Sequence, residues 1–404
     1  MYLPSKSLLE ILTSEQTGVF CESNSLGERS IVAKLPTSVI KSMLLGAKVE
    51  FYVFVKSLPP HNIALGLKVF DNKESPFHAL LAQRWNNSNN IFDQSFLDSD
   101  LNLALFDETD ASVVYGKIKI KTNFKNKRIF SILKNFDLSS SNNHQNNIKF
   151  MDSVCASLGS DDIQHPGFKV LTFHFPVSIE ELKTIYTHHV NDQGSSSYEV
   201  DAEIDGARQE RQIYQALCLM GNSSTTLSPL VTIGKKEREL TDVLTCSLNR
   251  QVIAIESKCL QVDLLTLEKS RERASSNMIK HCRKAIGQLE GVYKAIARGE
   301  RVYDGKGKTL LHGDKYDFYG IVLIDEYRES KDWSEIIKLL SETSTRHNIC
   351  INVITISEMI YNMKLSSSNT DTFIRMLYER HKCCINERNI NIKFINSALP
   401  TMLD

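Results

Sequence analysis

Residues 251–258, Gln-Val-Ile-Ala-Ile-Glu-Ser-Lys, decide the fold of the C-terminal half of this chain. The β-branched apolar run predicts a buried strand that ends in an acid and a lysine. Because side chains two apart on a strand share a face, Glu256 and Lys258 are expected to project together. A preceding strand, predicted at Leu240–Ser247 across a turn at 248–250, carries Asp242. The hairpin would therefore gather two carboxylates and an ammonium group.

The bulk composition is that of a soluble globular protein. With 404 residues the chain exceeds one ordinary core, which predicts two domains. No apolar run approaches the roughly 20 residues that span a bilayer, and the N-terminus lacks a secretory signal. The nine cysteines are scattered and form no CxxC pair, which argues against a zinc site or a disulfide framework. A cytoplasmic location is expected.

A polar stretch at residues 191–197 divides the chain into two predicted domains. Residues 1–190 contain predicted strands and a short helix near residues 36–44, the pattern of a β-rich α+β domain for sensing, regulation or assembly. The strands are expected at 49–55, 62–70, 113–121 and 168–175. No residue in this half has a catalytic pattern.

Residues 191–404 alternate helices and strands, which predicts an α/β domain with a mixed sheet flanked by helices. Around the hairpin, apolar periodicity predicts helices at 207–220, 279–296, 333–340 and 372–378, and buried strands at 319–324 and 349–356.

This order of elements and acids resembles the PD-(D/E)xK superfamily, whose fold is called restriction-endonuclease-like. The resemblance covers roughly residues 200–360 and assigns Asp242 as the first acid and Glu256 with Lys258 as the second acid and the lysine. Thr241 stands where the family name has proline, a position that varies widely in such proteins. The resemblance implies that the acids hold Mg²⁺ or Mn²⁺ and that the lysine orients or helps deprotonate the attacking water.

Two helical residues are further candidates. Glu210 lies three residues before Ile213 and seven before Leu217, on an apolar stripe where a carboxylate is costly unless it is paired or bound to metal. The alternative is an acid at the edge of the stripe that suits the helix dipole. Gln288, with Tyr293, loosely fits the glutamine and tyrosine that similar proteins carry on the helix after the lysine strand, but a solvated position is equally open.

The tripeptide Glu-x-Lys is weak by itself, since it recurs twice in the chain. Glu181-Leu-Lys183 lies in a segment, 179–186, that is predicted to be helical. Glu329-Ser-Lys331 follows a predicted strand but lies in a charged loop, where nothing orients the pair. Only Glu256-Ser-Lys258 ends an apolar run, with an acid at hairpin distance upstream. Glu239, three residues before Asp242, would point to the opposite face of a strand and is expected either to be exposed or to support the site without binding the metal directly.

Nucleic acid is the expected partner. From Lys258 to Arg301, ten basic residues outnumber five acidic ones in a chain whose formal net charge is zero. Such an excess beside a metal site suits phosphate contacts, although a solvated helix face explains many of these charges equally well. The family resemblance favours double-stranded DNA over RNA and favours a homo-oligomer, because two strands need two sites.

Three functions follow from these patterns. The first is a metal-dependent endonuclease, by architecture similar to bacterial restriction and anti-phage defence proteins. The second is a catalytically inactive module of the same fold, for nucleic-acid binding or assembly. The third is a plain α/β interaction protein in which the hairpin is a coincidence.

Overall fold

The computed structural model shows two compact units. The first comprises Met1–Thr187, Glu199–Asp201 and Asp263–Glu268, and the second comprises His188–Tyr198, Ala202–Val262 and Lys269–Asp404. The main division, at Thr187, lies close to the predicted boundary at residue 190. The structure describes residues 4–24, 27–57, 62–83, 92, 94–122, 144–158, 169–191, 194–260, 262–263, 271–311, 313, 315–325 and 333–392.

The first unit is built on an eight-stranded sheet in the order β1-β2-β6-β7-β8-β3-β4-β5. Only the β2–β6 pair is parallel among the seven neighbouring pairs of this sheet. Helices α1 and α3 pack on it through separate apolar clusters. The elements are α1 (Lys6–Ser14), β1 (Gly18–Ser23), β2 (Arg29–Lys34), α2 (Thr37–Leu44), β3 (Val49–Lys56), β4 (Ile63–Val69), β5 (Phe77–Ala82), β6 (Asp100–Phe106), β7 (Ser112–Ile120), α3 (His144–Ser157) and β8 (Val170–Thr184).

The predicted helix at residues 179–186 is wrong. Residues 179–184 continue strand β8, which pairs with β7 up to Thr184. Glu181 adopts φ of 55° beside an irregularity in this pairing, and such an irregularity disrupts strand alternation. The local pattern therefore mimicked a helical period.

The second unit centres on a five-stranded mixed sheet in the order β11-β14-β15-β18-β19. Strand β15 pairs antiparallel with β14 and parallel with β18. The elements are β9 (Thr187–Asn191), β10 (Gly194–Tyr198), α4 (Asp205–Leu217), β11 (Ser223–Leu227), β12 (Leu230–Ile233), β13 (Lys236–Glu239), β14 (Val243–Ser247), β15 (Gln251–Lys258), α5 (Arg271–Ala297), β16 (Val302–Tyr303), β17 (Thr309–Leu311), β18 (Asp317–Ile324), α6 (Ser334–His347), β19 (Cys350–Thr355), α7 (Ile356–Leu365) and α8 (Thr370–Glu387).

Helices cover both faces of this sheet, and strand β15 shows how the sequence achieves it. Val252 and Ala254 belong to one apolar cluster with α5 and α6, whereas Ile253 and Ile255 belong to a second cluster with α4, α7 and α8. Because alternate side chains of a strand point to opposite faces, a continuous apolar run is what a strand buried on both faces requires. The predicted α/β class with a mixed sheet flanked by helices is confirmed.

Several elements of the second unit were missed by the sequence analysis, among them a small sheet and one helix. A small four-stranded sheet, β13-β12-β16-β17, packs Val231 and Val302 into the α5 cluster. Its strand β13 reads Lys-Glu-Arg-Glu and is exposed along its length, so it carries no apolar alternation. Helix α7 begins directly after β19, where Thr355 caps it by accepting a hydrogen bond from the Glu358 backbone N–H.

A buried ion pair between α7 and α8 gives a test of the packing. Arg380 is fully buried, donates from Nη2 to Glu358 Oε2 at 3.2 Å, and also donates to the Ile390 carbonyl at 2.8 Å. Replacing Glu358 by alanine leaves the guanidinium buried without its counter-ion. We expect urea unfolding to show a loss of about 3–5 kcal/mol. Glu342→Ala, which removes an exposed partner of Lys338, should cost at most about 0.5 kcal/mol; equal losses would contradict the packing described.

Candidate functional site

Glu256 and Lys258 lie at the carboxyl end of β15, on one face of the central strand. Lys258 Nζ donates to Glu256 Oε2 at 2.9 Å and lies 3.8 Å from Asp242 Oδ2. Glu256 is 2% exposed, whereas Lys258 and Asp242 are partly open to solvent. The structure thus brings together the three residues that the sequence pattern predicted.

Asp242 reaches this point from the residue before β14, not from within it, because the strand begins at Val243 and not at Leu240. Its Oδ2 accepts a hydrogen bond of 2.6 Å from the Ser257 backbone N–H. The neighbouring Thr241, which is 2% exposed, donates its hydroxyl to the Ile255 carbonyl at 2.8 Å. Both bonds hold this segment against the end of β15 and so fix the carboxylate.

Glu210, on α4, lies within electrostatic range of the same group and is half-buried. Burial, followed by the negative charges of Asp242, Glu239 and Glu256, raises its pKa to about 7, whereas the positive charge of Lys258 opposes this shift. Among the described contacts Glu210 makes no hydrogen bond to the other acids, so its role as a ligand stays a prediction. Glu239 ends β13 and is exposed, as expected.

The charges at this site do not balance. Burial raises the pKa of Glu256, as does Asp242, while Lys258 and the Thr241 hydroxyl hold it down. With Glu210 included, three carboxyl groups face one ammonium group. A half-buried excess of negative charge favours either protonation of an acid or the binding of a cation.

A ready-made metal cage is not present in the described part of the chain, where no three His, Cys, Asp or Glu side chains converge closely enough to hold an ion. The ammonium group of Lys258 lies between the carboxylates of Asp242 and Glu256 and serves as their counter-ion. The oxygen donors suit a hard cation such as Mg²⁺ or Mn²⁺, but a cation would have to compete with Lys258 for them.

The remaining candidates lie apart from this group. Gln288 is on the exposed side of α5, and none of the described contacts joins it to the acids, so its role is untested. Glu181 and Lys183 belong to β8 of the first unit. Glu329-Ser-Lys331 lies outside the described residues.

The basic side chains that the structure describes on α5, together with Arg298 just after its end, fall into two groups. Arg283, Lys294 and Arg298 are paired with Glu335, Glu290 and Glu300. Lys280 and Lys284 are exposed and have no acidic partner among the described ion pairs. Burial lowers the pKa of His281, and the positive charges of Lys258, Lys280 and Lys284 lower it further. Two lysines of α5 that have no acidic partner among the described ion pairs therefore lie within electrostatic range of His281, as Lys258 does.

The sequence analysis missed a set of buried polar residues on α4, at most 3% exposed, that contact the segment after β15. Ser257 donates its hydroxyl to Gln209 Oε1, and Asp205 Oδ2 accepts from the Val262 backbone N–H at 2.9 Å. The burial of these polar residues could have been predicted, because they lie at helical spacing on the same face as Ile213, Ala216 and Leu217. The set is Asp205, Arg208, Gln209 and Gln212.

Comparison with known proteins gives no counterpart: no protein-family model, curated protein or solved structure matches the chain. In the described residues, no helix combines the length and the apolar character needed to cross a membrane. The site must therefore be interpreted from its own geometry.

The raised pKa of Glu210 predicts a pH-dependent stability. Its pKa is about 7 in the folded protein against 4.5 for an ordinary carboxyl, so the folded state retains a proton that the unfolded state loses. Stability from this group is complete below pH 4.5 and is lost as the pH rises through 7. In metal-free buffer, the melting temperature of Glu210→Gln should rise relative to wild type from pH 5 to pH 8. A constant difference, or the same trend in the surface control Glu342→Gln, would contradict the assigned cause.

Proposed function

We propose that the second unit is a Mg²⁺- or Mn²⁺-dependent endonuclease that hydrolyses phosphodiester bonds of DNA. The observation that carries the proposal is the position of Lys258 Nζ, 2.9 Å from Glu256 and 3.8 Å from Asp242 at the end of a buried strand. A structural salt bridge needs one acid and one base. The additional carboxylates of Asp242 and Glu210 exceed that requirement.

The order of elements supports the same proposal. Helix α4, the antiparallel pair β14–β15, helix α5 and strand β18 follow one another as in the core expected of a PD-(D/E)xK nuclease. In this interpretation Asp242 is the first acid, and Glu256 and Lys258 at the end of β15 are the second acid and the lysine. We therefore infer a restriction-endonuclease-like fold for this unit.

The carboxylates of Asp242 and Glu256 would hold the cation, with Glu210 as a third ligand. A bound divalent cation would supply Lewis-acid stabilisation of charge on the phosphate and would lower the pKa of water. It would also neutralise the negative charge that, after burial, raises the pKa values of Glu210 and Glu256. The oxygen donors therefore suit the proposed metal in kind, and its binding would draw the three acids closer together than the structure places them.

Lys258 orients the attacking water. Its ammonium group has three donor hydrogens and is partly open to solvent, so it can donate to a water while remaining bonded to Glu256. The Ser257 N–H holds the Asp242 carboxylate, which keeps both acids on the side of Lys258. The chain thereby supplies two carboxylates beside one cationic side chain that is partly open to solvent.

Lys280 and Lys284 are proposed to contact the phosphate backbone. Both are exposed on α5, near enough to His281 to lower its pKa together with Lys258. Such contacts provide affinity without sequence readout and are weakened by salt. Gln288 on the same helix is a further candidate residue for catalysis.

The wider role follows from architecture alone. A nuclease unit joined to a β-rich unit suits a bacterial anti-phage defence or restriction protein that acts in the cytoplasm as a homo-oligomer on double-stranded DNA. The first unit would then sense a signal, regulate the nuclease or assemble subunits.

A catalytically inactive module for nucleic-acid binding or assembly is the second candidate. The observation that favours it is the contact of Lys258 with both Glu256 and Asp242, which already compensates part of their charge. In that case DNA binding would be salt-sensitive but no phosphodiester bond would be cut.

Plasmid cleavage separates these functions. Wild-type protein with Mg²⁺ should nick or linearise plasmid DNA, and Glu256→Gln or Lys258→Ala should lower the rate by about 100-fold or more. Lys331→Ala, which alters the second Glu-Ser-Lys tripeptide of the chain, is the matched control and should cleave plasmid DNA at the wild-type rate. Undiminished cleavage by Lys258→Ala would contradict the role of Lys258 in orienting the attacking water.

A second assay tests the phosphate contacts. The double variant Lys280→Ala/Lys284→Ala should bind DNA more weakly, with a shallower salt dependence by about two phosphate contacts. Lys294→Ala, whose lysine is paired with Glu290, serves as the control on the same helix. Equal salt slopes for the double variant and wild type, measured by fluorescence anisotropy, would exclude this surface as the DNA-binding face.

A further inference from the structure

The segment that carries Lys258 is held by a closed ring of hydrogen bonds. Gln209, which is 1% exposed on α4, accepts from the Ser257 hydroxyl through Oε1 and donates from Nε2 to Asp325 Oδ1 at 2.8 Å. Asp325 Oδ2 accepts from the Leu260 backbone N–H at 3.0 Å. The ring closes through the main chain from Ser257 to Leu260 and so encloses Lys258.

The parallel pairing of β15 with β18 brings the carboxyl ends of both strands into this ring. Ile324, the last residue of β18, is the parallel partner of Lys258, so Asp325 is the first residue beyond the sheet at that point. Its carboxylate accepts one bond from α4 and one from the segment after β15. The ends of two neighbouring strands are thereby joined through one side chain of a helix.

Ser257 links the ring to the acids. Its backbone N–H donates to Asp242 Oδ2 at 2.6 Å, while its hydroxyl donates to Gln209 on the opposite face of the strand. A shift of the backbone at this residue would therefore affect both bonds. The same residue sits between Glu256 and Lys258, so its orientation sets theirs.

We propose that Gln209 and Asp325 are positioning residues, which aim Lys258 at Asp242 and Glu256 by fixing residues 257–260. The proposal rests on the proposed nuclease function for its catalytic consequence. Neither residue lies among the acids or contacts the Lys258 ammonium group in the described bonds. Their effect on catalysis would be exerted through the backbone of the segment.

The buried face of α4 supports this assignment. Arg208 contacts Cys259 Sγ at 3.9 Å, and Asp205 accepts from the Val262 N–H. Residues 257 and 259 of the segment, and residue 262 beyond it, thus contact α4. Residue 260 is bonded to Asp325. A helix face devoted only to packing would carry apolar side chains here, as it does from Ile213 onward.

The substitution Gln209→Met tests the ring, since methionine retains most of the volume and removes both bonds. We expect kcat for plasmid cleavage to fall by about 10- to 100-fold, as for other supporting residues, with KM for DNA within about twofold of wild type. Amide hydrogen exchange at Ser257 and Leu260 should become about tenfold faster. A residue that served stability alone would not lower kcat selectively in correctly folded protein.

Gln215→Met is the matched control. Gln215 is buried on the same helix and donates to Ser196 Oγ at 3.3 Å, remote from the ring. It should change neither kcat nor exchange at 257–260. If Gln209→Met does not fold, Ser257→Ala removes a single hydroxyl from the ring, and the same loss of kcat and faster exchange at Leu260 are expected.

The outcomes distinguish this proposal from the nuclease proposal. Wild-type cleavage together with unchanged kcat and exchange in Gln209→Met overturns the positioning role and leaves the nuclease intact. Absence of wild-type cleavage overturns the nuclease. Amide hydrogen exchange at residues 257–260 then tests the structural role of the ring without the cleavage assay. Faster exchange in Gln209→Met than in wild type supports this role, and unchanged exchange overturns it.

Discussion

The contact of the Lys258 ammonium group with Glu256 and Asp242 is the interaction on which the candidate site depends. Glu256 is almost fully buried at the end of the central strand, where an uncompensated carboxylate would be costly. Lys258 compensates it within hydrogen-bonding distance and reaches Asp242 as well. The apolar run from Val252 to Ile255 supports this arrangement, since burial on both faces holds the strand end in place.

The sequence predicted strand β15 at its observed bounds because its apolar run ends abruptly in charged residues. The shared face of Glu256 and Lys258 followed from strand geometry alone. The long helix α5 was also predictable, since its apolar positions recur at helical spacing over several turns. Strong periodicity over a long segment leaves few alternative structures.

Other features could not be predicted, and each has a physical reason. Strand β13 is short, charged and exposed, so its pairing with β12 leaves no hydrophobic pattern. Residues 179–186 were misassigned because an irregular pairing interrupts the alternation of β8. The bonds of Gln209 to Ser257 and Asp325 join residues distant in sequence, which only the fold brings together.

The proposed function requires that Asp242 and Glu256 together hold a divalent cation. Diffraction from crystals soaked in Mn²⁺ and measured at the manganese absorption edge tests this binding. We expect an anomalous peak within bonding distance of oxygens of both carboxylates, with the Lys258 ammonium group displaced from between them. Full occupation of that place by Lys258, with no peak at the acids in the presence of Mn²⁺, would show that the two acids do not form a metal site.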